Sequence, residues 1–306
     1  MSLTGKFLNR TLPIGIFDSG VGGLTVYRAL HSELPDERFV YLGDTARVPY
    51  GTKSLATVQR YAIENARFLE AHGIKLLVVA CNTASALALP AIRKAVGVEV
   101  VGVIEPGARA AVEASDAAPG ALDKVDKADK AARIGVIATE ATVQSGAYAS
   151  AIATYSPRAK VIERACPLFV ALAEEGWAET DVAREVASKY LSDLKESDVE
   201  TLVLGCTHYP ILRDVIQESI GPTVRLIDSG EATARDVALL LKTKELAQLS
   251  NAKNGERERH LCDDLDHFYV TDAAERFSRV AERFLGSAPS VLEAVEVWGH
   301  DELRTY

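Results

Sequence analysis

The chain reads as an α/β protein of two pseudo-symmetric lobes, each a mainly parallel sheet flanked by helices. Three observations predict this. Short apolar runs of strand length alternate with helical stretches. Two of those runs recur, since Ile14 lies 120 residues before Ile134 and Cys81 lies 125 before Cys206. The length, 306 residues, suits two lobes of ordinary size.

The elements follow in order. IGIF (14–17), FVYLG (39–43), LLVVA (76–80) and VEVVGVI (98–104) have the β-branched, unbroken apolar character of buried parallel strands, and residues 54–72 and 84–96 between them read as helices. After Glu105 a helical segment leads into residues 114–133, a small and charged stretch with the composition of a solvated loop. The strand pattern restarts at IGVIAT (134–139), which echoes IGIFDS (14–19), and LVLGCTHYP (202–210) echoes VVACNTASA (78–86). TVRLID, a helix over 230–247, a polar break at NAKNGERERH, and a final strand pair and helix in FYVTDAAERFSRVAERFL complete the chain. The expected division is a first lobe of residues 1–105 completed by a returning segment 229–306, and a second lobe of 106–228.

Composition excludes several classes. A net charge of -9, no long basic run and 7% aromatic residues argue against nucleic acid as the main ligand. No apolar run is long enough for a bilayer. The opening MSLTGKFLNRTLPIGIF lacks a continuous apolar segment, so a cytoplasmic protein is expected. The four cysteines, Cys81, Cys166, Cys206 and Cys262, are scattered without a C-x-x-C pair, which fits neither a disulfide framework nor a structural zinc site. Any chemistry rests on individual thiols.

Cys166 and Cys262 read as packing residues. Cys81 and Cys206 differ, because each ends a buried parallel strand and opens the next helix, the end of an open sheet where ligands bind. Facing lobes would put both in one cleft, and helix-start N–H groups would favour their thiolates, poising them near working pH. His208, two residues after Cys206, reads either as a cap or core histidine or as a proton partner projecting to the same side; a Cys-His thiol hydrolase stays open at this point. FDSGVGGLTV (17–26) lacks both the dinucleotide glycine spacing and a Walker lysine, so Gly20, Gly22 and Gly23 fit a plain strand-to-helix turn. Asp18 and Ser19 at that strand end favour an ammonium-bearing ligand. GDTARVPYG (43–51) is either a surface turn or a loop whose backbone N–H groups hold a carboxylate, with Tyr50 closing the cleft. Thr139, Thr142 and Glu163 are further contacts or caps.

DSGVGGLTV, GDTARVPYG, VVACNTASA and LVLGCTHYP, in this order, closely resemble the aspartate/glutamate racemase group and within it the glutamate racemases. CPLFV (166–170), LIDSG (226–230) and FYVTDAAERF extend the likeness over nearly the whole chain; only residues 114–133 and a short N-terminal extension depart from it. The resemblance implies proton exchange at the α-carbon of glutamate without a cofactor or metal, with Cys81 and Cys206 acting on opposite faces. It implies that Asp18 assists Cys81 and His208 assists Cys206. Both residues, with Ser19, Tyr50, Gly51, Asn82, Thr83 and Thr207, would contact substrate, and the D-glutamate formed would supply peptidoglycan synthesis. Aspartate and hydantoin racemases share the expected fold and are the nearest alternatives; a two-lobed amino-acid binder would have little use for two poised thiols. A homodimer is compatible with this reading.

Overall fold

The computed structural model describes residues 9–117, 131–248 and 259–298. The first lobe alternates β1 (Ile14–Asp18), α1 (Leu24–Glu33), β2 (Phe39–Gly43), α2 (Leu55–Ala71), β3 (Leu76–Val79), α3 (Asn82–Ala95) and β4 (Glu99–Gly102). The first three strands are buried along their whole length because each face supplies its own core. Ile14, Ile16, Leu76 and Val78 enter one apolar cluster, whereas Phe17, Leu77 and Val79 enter another with Val58, Ala62 and Ala84. That is the period-2 geometry of a strand applied to a sheet covered on both sides.

The second lobe contains α4 (Ile104–Asp116), β5 (Arg133–Ala138), α5 (Glu140–Ser145), α6 (Ala147–Tyr155), β6 (Lys160–Ala165), α7 (Leu168–Glu174), α8 (Asp181–Glu196), β7 (Thr201–Gly205), α9 (Arg213–Ile220) and β8 (Arg225–Asp228). Then come α10 (Ser229–Thr243), β9 (His267–Val270), α11 (Ala274–Leu285) and β10 (Leu292–Ala294). The sheets order as β10-β9-β2-β1-β3-β4 and β6-β5-β7-β8, and every pairing among the described residues is parallel. Four strands of each thus share one order, second-first-third-fourth. The echoes IGIF/IGVI and VVAC/VLGC occupy equivalent strands, β1 with β5 and β3 with β7.

Details depart from the sequence-based expectation. The fourth helix runs to Asp116, into the stretch expected to be a loop; residues 118–130 of that stretch, most of the polar break and the first eight residues lie outside the described residues. The helix expected from residue 84 begins at Asn82, so Asn82 and Thr83 form its first turn. The final strand pair is split, because β10 follows α11 rather than preceding it. That strand has three residues and is half exposed, which leaves almost no apolar pattern to read.

Between the lobes α10 packs against α1 on one side and α4 on the other. Asp228 caps it, its Oδ1 accepting from the N–H groups of Gly230 at 2.8 Å and Glu231 at 3.3 Å.

Candidate active site

Cys81 follows β3 and is the N-cap of α3; its Sγ accepts from the Ala84 N–H at 3.5 Å and donates to Ser19 Oγ at 3.4 Å. It is 5% exposed. The helix-start geometry expected from sequence is present, yet burial and then the nearby Asp18 carboxylate push the thiol up to about 12. Desolvation therefore outweighs the helix end, and Cys81 is a protonated thiol near neutral pH.

Asp18 is fully buried at the end of β1. Its Oδ2 accepts from the Gly20 N–H at 2.9 Å, while its Oδ1 has no hydrogen-bond partner among the described residues. Burial raises its pKa, against the opposing charge of His208 and the backbone N–H groups.

Cys206 follows β7 and leads into a single 3-10 turn, Tyr209–Leu212, in place of the helix expected at Pro210; α9 begins only at Arg213. Its Sγ lies 3.8 Å from His208 Nδ1, and His208 Nε2 lies 3.1 Å from Glu174 Oε1. Arg276 on α11 bonds the other Glu174 oxygen at 3.0 Å. Burial opposes the charged imidazole, but the Cys206 and Glu174 partners prevail and raise its pKa. Burial likewise opposes ionised Glu174, and His208 and Arg276 hold it below the usual carboxylate range. The relay thus runs thiol, imidazole, carboxylate, guanidinium. Glu174 and Arg276 were invisible to sequence reasoning, because 34 and 68 residues separate them from His208.

The two thiols lie close enough for the charge of Cys206 to act on Cys81. Other contacts join the lobes around them. Thr83 Oγ1 lies 2.9 Å from Thr139 Oγ1 and 3.2 Å from Thr142 Oγ1, and Thr139 and Thr142 are 3.0 Å apart. Thr25 Oγ1 donates to the Thr207 carbonyl at 2.8 Å. A Cβ built on Gly51 would lie 3.0 Å from Thr139 Cβ, and one on Gly22 would lie 2.5 Å from His208 Nδ1. Gly22 of FDSGVGG thus serves close approach between lobes as well as the strand-to-helix turn.

Tyr50 and Gly51 start a 3-10 turn after the cis Val48–Pro49 bond. Tyr50 is 1% exposed and its hydroxyl is already engaged, donating to Asp44 and accepting from Asn65 Nδ2 at 3.0 Å. Asp44 also receives Arg47 Nε at 2.8 Å and Thr271 Oγ1 at 3.0 Å, so a buried polar network holds this loop from behind. A carboxylate reaching the loop would meet backbone N–H groups rather than the Tyr50 hydroxyl.

Asn82 is 3% exposed; its Oδ1 accepts from the Tyr148 hydroxyl at 2.6 Å, and its Nδ2 has no partner among the described residues. Glu163 stands apart. It is half-buried on β6 with one oxygen unpartnered, its pKa raised by burial, and it joins neither the threonine cluster nor the relay. No group of three or more His, Cys, Asp or Glu among the described residues has the arrangement of a metal site, and Cys166 and Cys262 are buried free thiols, Cys166 close enough for the charge of Cys206 to act on it.

A family model described as Asp/Glu/Hydantoin racemase matches residues 14–237. The glutamate racemase of Geobacter metallireducens is 52% identical over 273 residues, 89% of this chain and 92% of that one. The crystal structure of the glutamate racemase isoform RacE1 from Bacillus anthracis superposes with a TM-score of 0.81 at 35% identity, over 94% of this chain and 98% of that one. The Francisella tularensis glutamate racemase in complex with D-glutamate gives a TM-score of 0.78 at 37% identity, with the same coverage. Paired strand-end thiols, one per lobe, stand on a fold shared with these enzymes over nearly the full length of both chains, and the protein is a member of the Asp/Glu/Hydantoin racemase family and an amino-acid racemase.

Proposed function

We propose that the chain interconverts L- and D-glutamate by proton exchange at the α-carbon, using Cys81 and Cys206 as opposed bases and no added cofactor. The observation that carries this is the pair of buried thiols, one from each lobe, each with its own polar relay. One thiolate removes the α-proton, the other thiol returns a proton to the opposite face, and the two protonation states exchange with each turnover. The α-proton of an amino acid is very weakly acidic, so the charge that develops on the carboxylate must meet donors already in place. Asn82 Nδ2, the hydroxyls of Thr83 and Thr207, and the first N–H groups of α3 are the donors here. The substrate ammonium would sit by Asp18 and Ser19, and its positive charge would offset the burial that keeps Cys81 protonated. Asp18 then assists Cys81 and His208 assists Cys206.

Donors for two carboxylates suit a dicarboxylic amino acid rather than a hydantoin, and glutamate is proposed over aspartate because its extra methylene gives the side-chain carboxylate the longer reach. The Pro49-Tyr50-Gly51 loop would hold the distal one. Supply of D-glutamate for peptidoglycan, a cytoplasmic location and a homodimer complete the proposal; no helix among the described residues is long and apolar enough to cross a membrane. The lobes are proposed to divide at residues 105 and 228, with 229–306 returning to the first. The pairing of β9 with β2 supports that return.

The test is a polarimetric assay with both enantiomers of glutamate and aspartate after dialysis against a chelator. We expect glutamate to racemise, and aspartate, one methylene short, to turn over about a hundredfold less efficiently because buried donors are left unpaired. Equal turnover of aspartate, or a strict need for metal or pyridoxal phosphate, rejects the proposal.

A further inference from the structure

We infer that Tyr148 is a positioning residue that fixes the amide of Asn82, so that its N–H2 end rather than its carbonyl is presented beside Cys81. This rests on the reading of Asn82 as a carboxylate donor.

Asn82 follows the N-cap Cys81 and is buried, and an Asn side chain there can turn either end toward a ligand. The difference is decisive for a carboxylate, which is attracted by Nδ2 and repelled by Oδ1. Within the described residues the one hydrogen bond to this amide comes from Tyr148, whose hydroxyl donates to Oδ1 at 2.6 Å. Burial pushes the ionisation of this phenol above its usual range, so it keeps its proton and can donate to Oδ1 while the Ser229 side chain engages its oxygen. An amide turned over would need the phenol oxygen, which the Ser229 side chain already engages, to accept from its N–H2 group, and would present its carbonyl to the carboxylate. The orientation seen leaves Nδ2 without a partner in a site 3% exposed. An orphaned buried donor is costly, and it is tolerated where a ligand will satisfy it.

Tyr148 is built to hold that bond. It is fully buried, and its ring is wedged between two glycines: a Cβ on Gly205 would lie 2.9 Å from Cε2, and one on Gly107 would lie 3.4 Å from Cε1. Gly205 immediately precedes Cys206, and Asn82 immediately follows Cys81. One side chain therefore braces the residue before one thiol and the residue after the other. Because Tyr148 belongs to α6 and Asn82 to α3, the donor is set only when the two lobes are in register.

Tyr148→Phe keeps the ring, and so the wedge, and removes only the hydroxyl. We expect kcat/KM for glutamate to fall about tenfold to a hundredfold, with Tm within a few degrees of the parent protein. Asn82→Ala should cost at least as much, and Tyr148→Phe added to Asn82→Ala should cost little more, since the hydroxyl then has nothing to orient. A role in packing alone would instead add fully in the double variant. A readout independent of activity is the NMR signal of the Asn82 side-chain amide, identified by its loss in Asn82→Ala; it should shift on Tyr148→Phe even if glutamate is not the substrate. Parent-like kinetics in Tyr148→Phe, full additivity, or an unmoved Asn82 amide signal would overturn the inference.

Discussion

The Cys81 and Cys206 half-sites begin alike and end differently. Each thiol follows a buried parallel strand at the same place in sheets of the same order. Beyond that, Cys81 caps a 14-residue helix and has a hydroxyl and a carboxylate for company, Ser19 and Asp18. Cys206 leads into one 3-10 turn and is followed by His208, Glu174 and Arg276 in series. Repetition of a fold thus placed two thiols, and local side chains gave each a different means of managing its proton. The asymmetry does not appear in the net outcome, since enantiomers have equal free energies and kcat/KM must be the same in both directions. It must be sought in steps that do not return.

The largest effect should come from breaking one half at a time. Cys81→Ser and Cys206→Ser are each expected to lower racemisation by about 10² to 10⁴-fold, because a hydroxyl is a far poorer proton carrier than a thiol. With a substrate analogue bearing a β-leaving group, a single thiol suffices. The family resemblance implies that Cys206 takes the proton of the L-form and Cys81 that of the D-form, so Cys81→Ser should then retain elimination from the L-form and Cys206→Ser from the D-form. Normal racemisation by either variant, or the same enantiomer preference in both, would show that the halves are not opposed.

A smaller effect should mark the second half alone. Glu174→Gln leaves His208 a neutral partner, and we expect kcat for glutamate to fall about tenfold, with elimination from the L-form falling while that from the D-form holds. Equal loss from both forms would show that Glu174 serves the site generally rather than the Cys206 thiol.

The smallest effect is thermodynamic. His208 has a folded pKa raised above its usual 6.5, so its stabilisation is complete below that value and is lost as pH rises through the folded pKa. Glu174, lowered from 4.5, gives stabilisation that is present above its usual pKa and lost as pH falls through the folded one. The pair should therefore be worth most between these limits, about 2 kcal/mol, and Tm should decline through the alkaline range. His208→Gln should flatten that alkaline decline, as followed by calorimetry from pH 6 to about 10; an unchanged slope would mean that the proton is held elsewhere.

What could be read before the structure follows from the range of each interaction. IGIF, FVYLG, LLVV and TLVLG declare themselves because a strand covered on both faces must be apolar at every position, and strand ends carry Asp18, Cys81 and Cys206 to one edge without further information. His208 was legible through its spacing from Cys206. Glu174, Arg276 and Tyr148 were not, since each acts across a lobe or between lobes and leaves no local period. The raised Cys81 thiol was misread for a related reason: a helix start is visible in sequence, whereas desolvation depends on everything packed around it. The β10 strand escaped because three half-exposed residues at the end of a sheet bear no pattern.

Gly22 also acts as a mechanical part. A side chain here would run into both the Thr207 hydroxyl and the His208 ring, leaving less than the width of a methyl group to spare. Backbone against aromatic ring is a hard stop, with no long side chain to compress or swing aside. The approach of the first lobe to the Cys206 half-site is therefore gauged by the chain itself, much as a shim sets the gap between two plates.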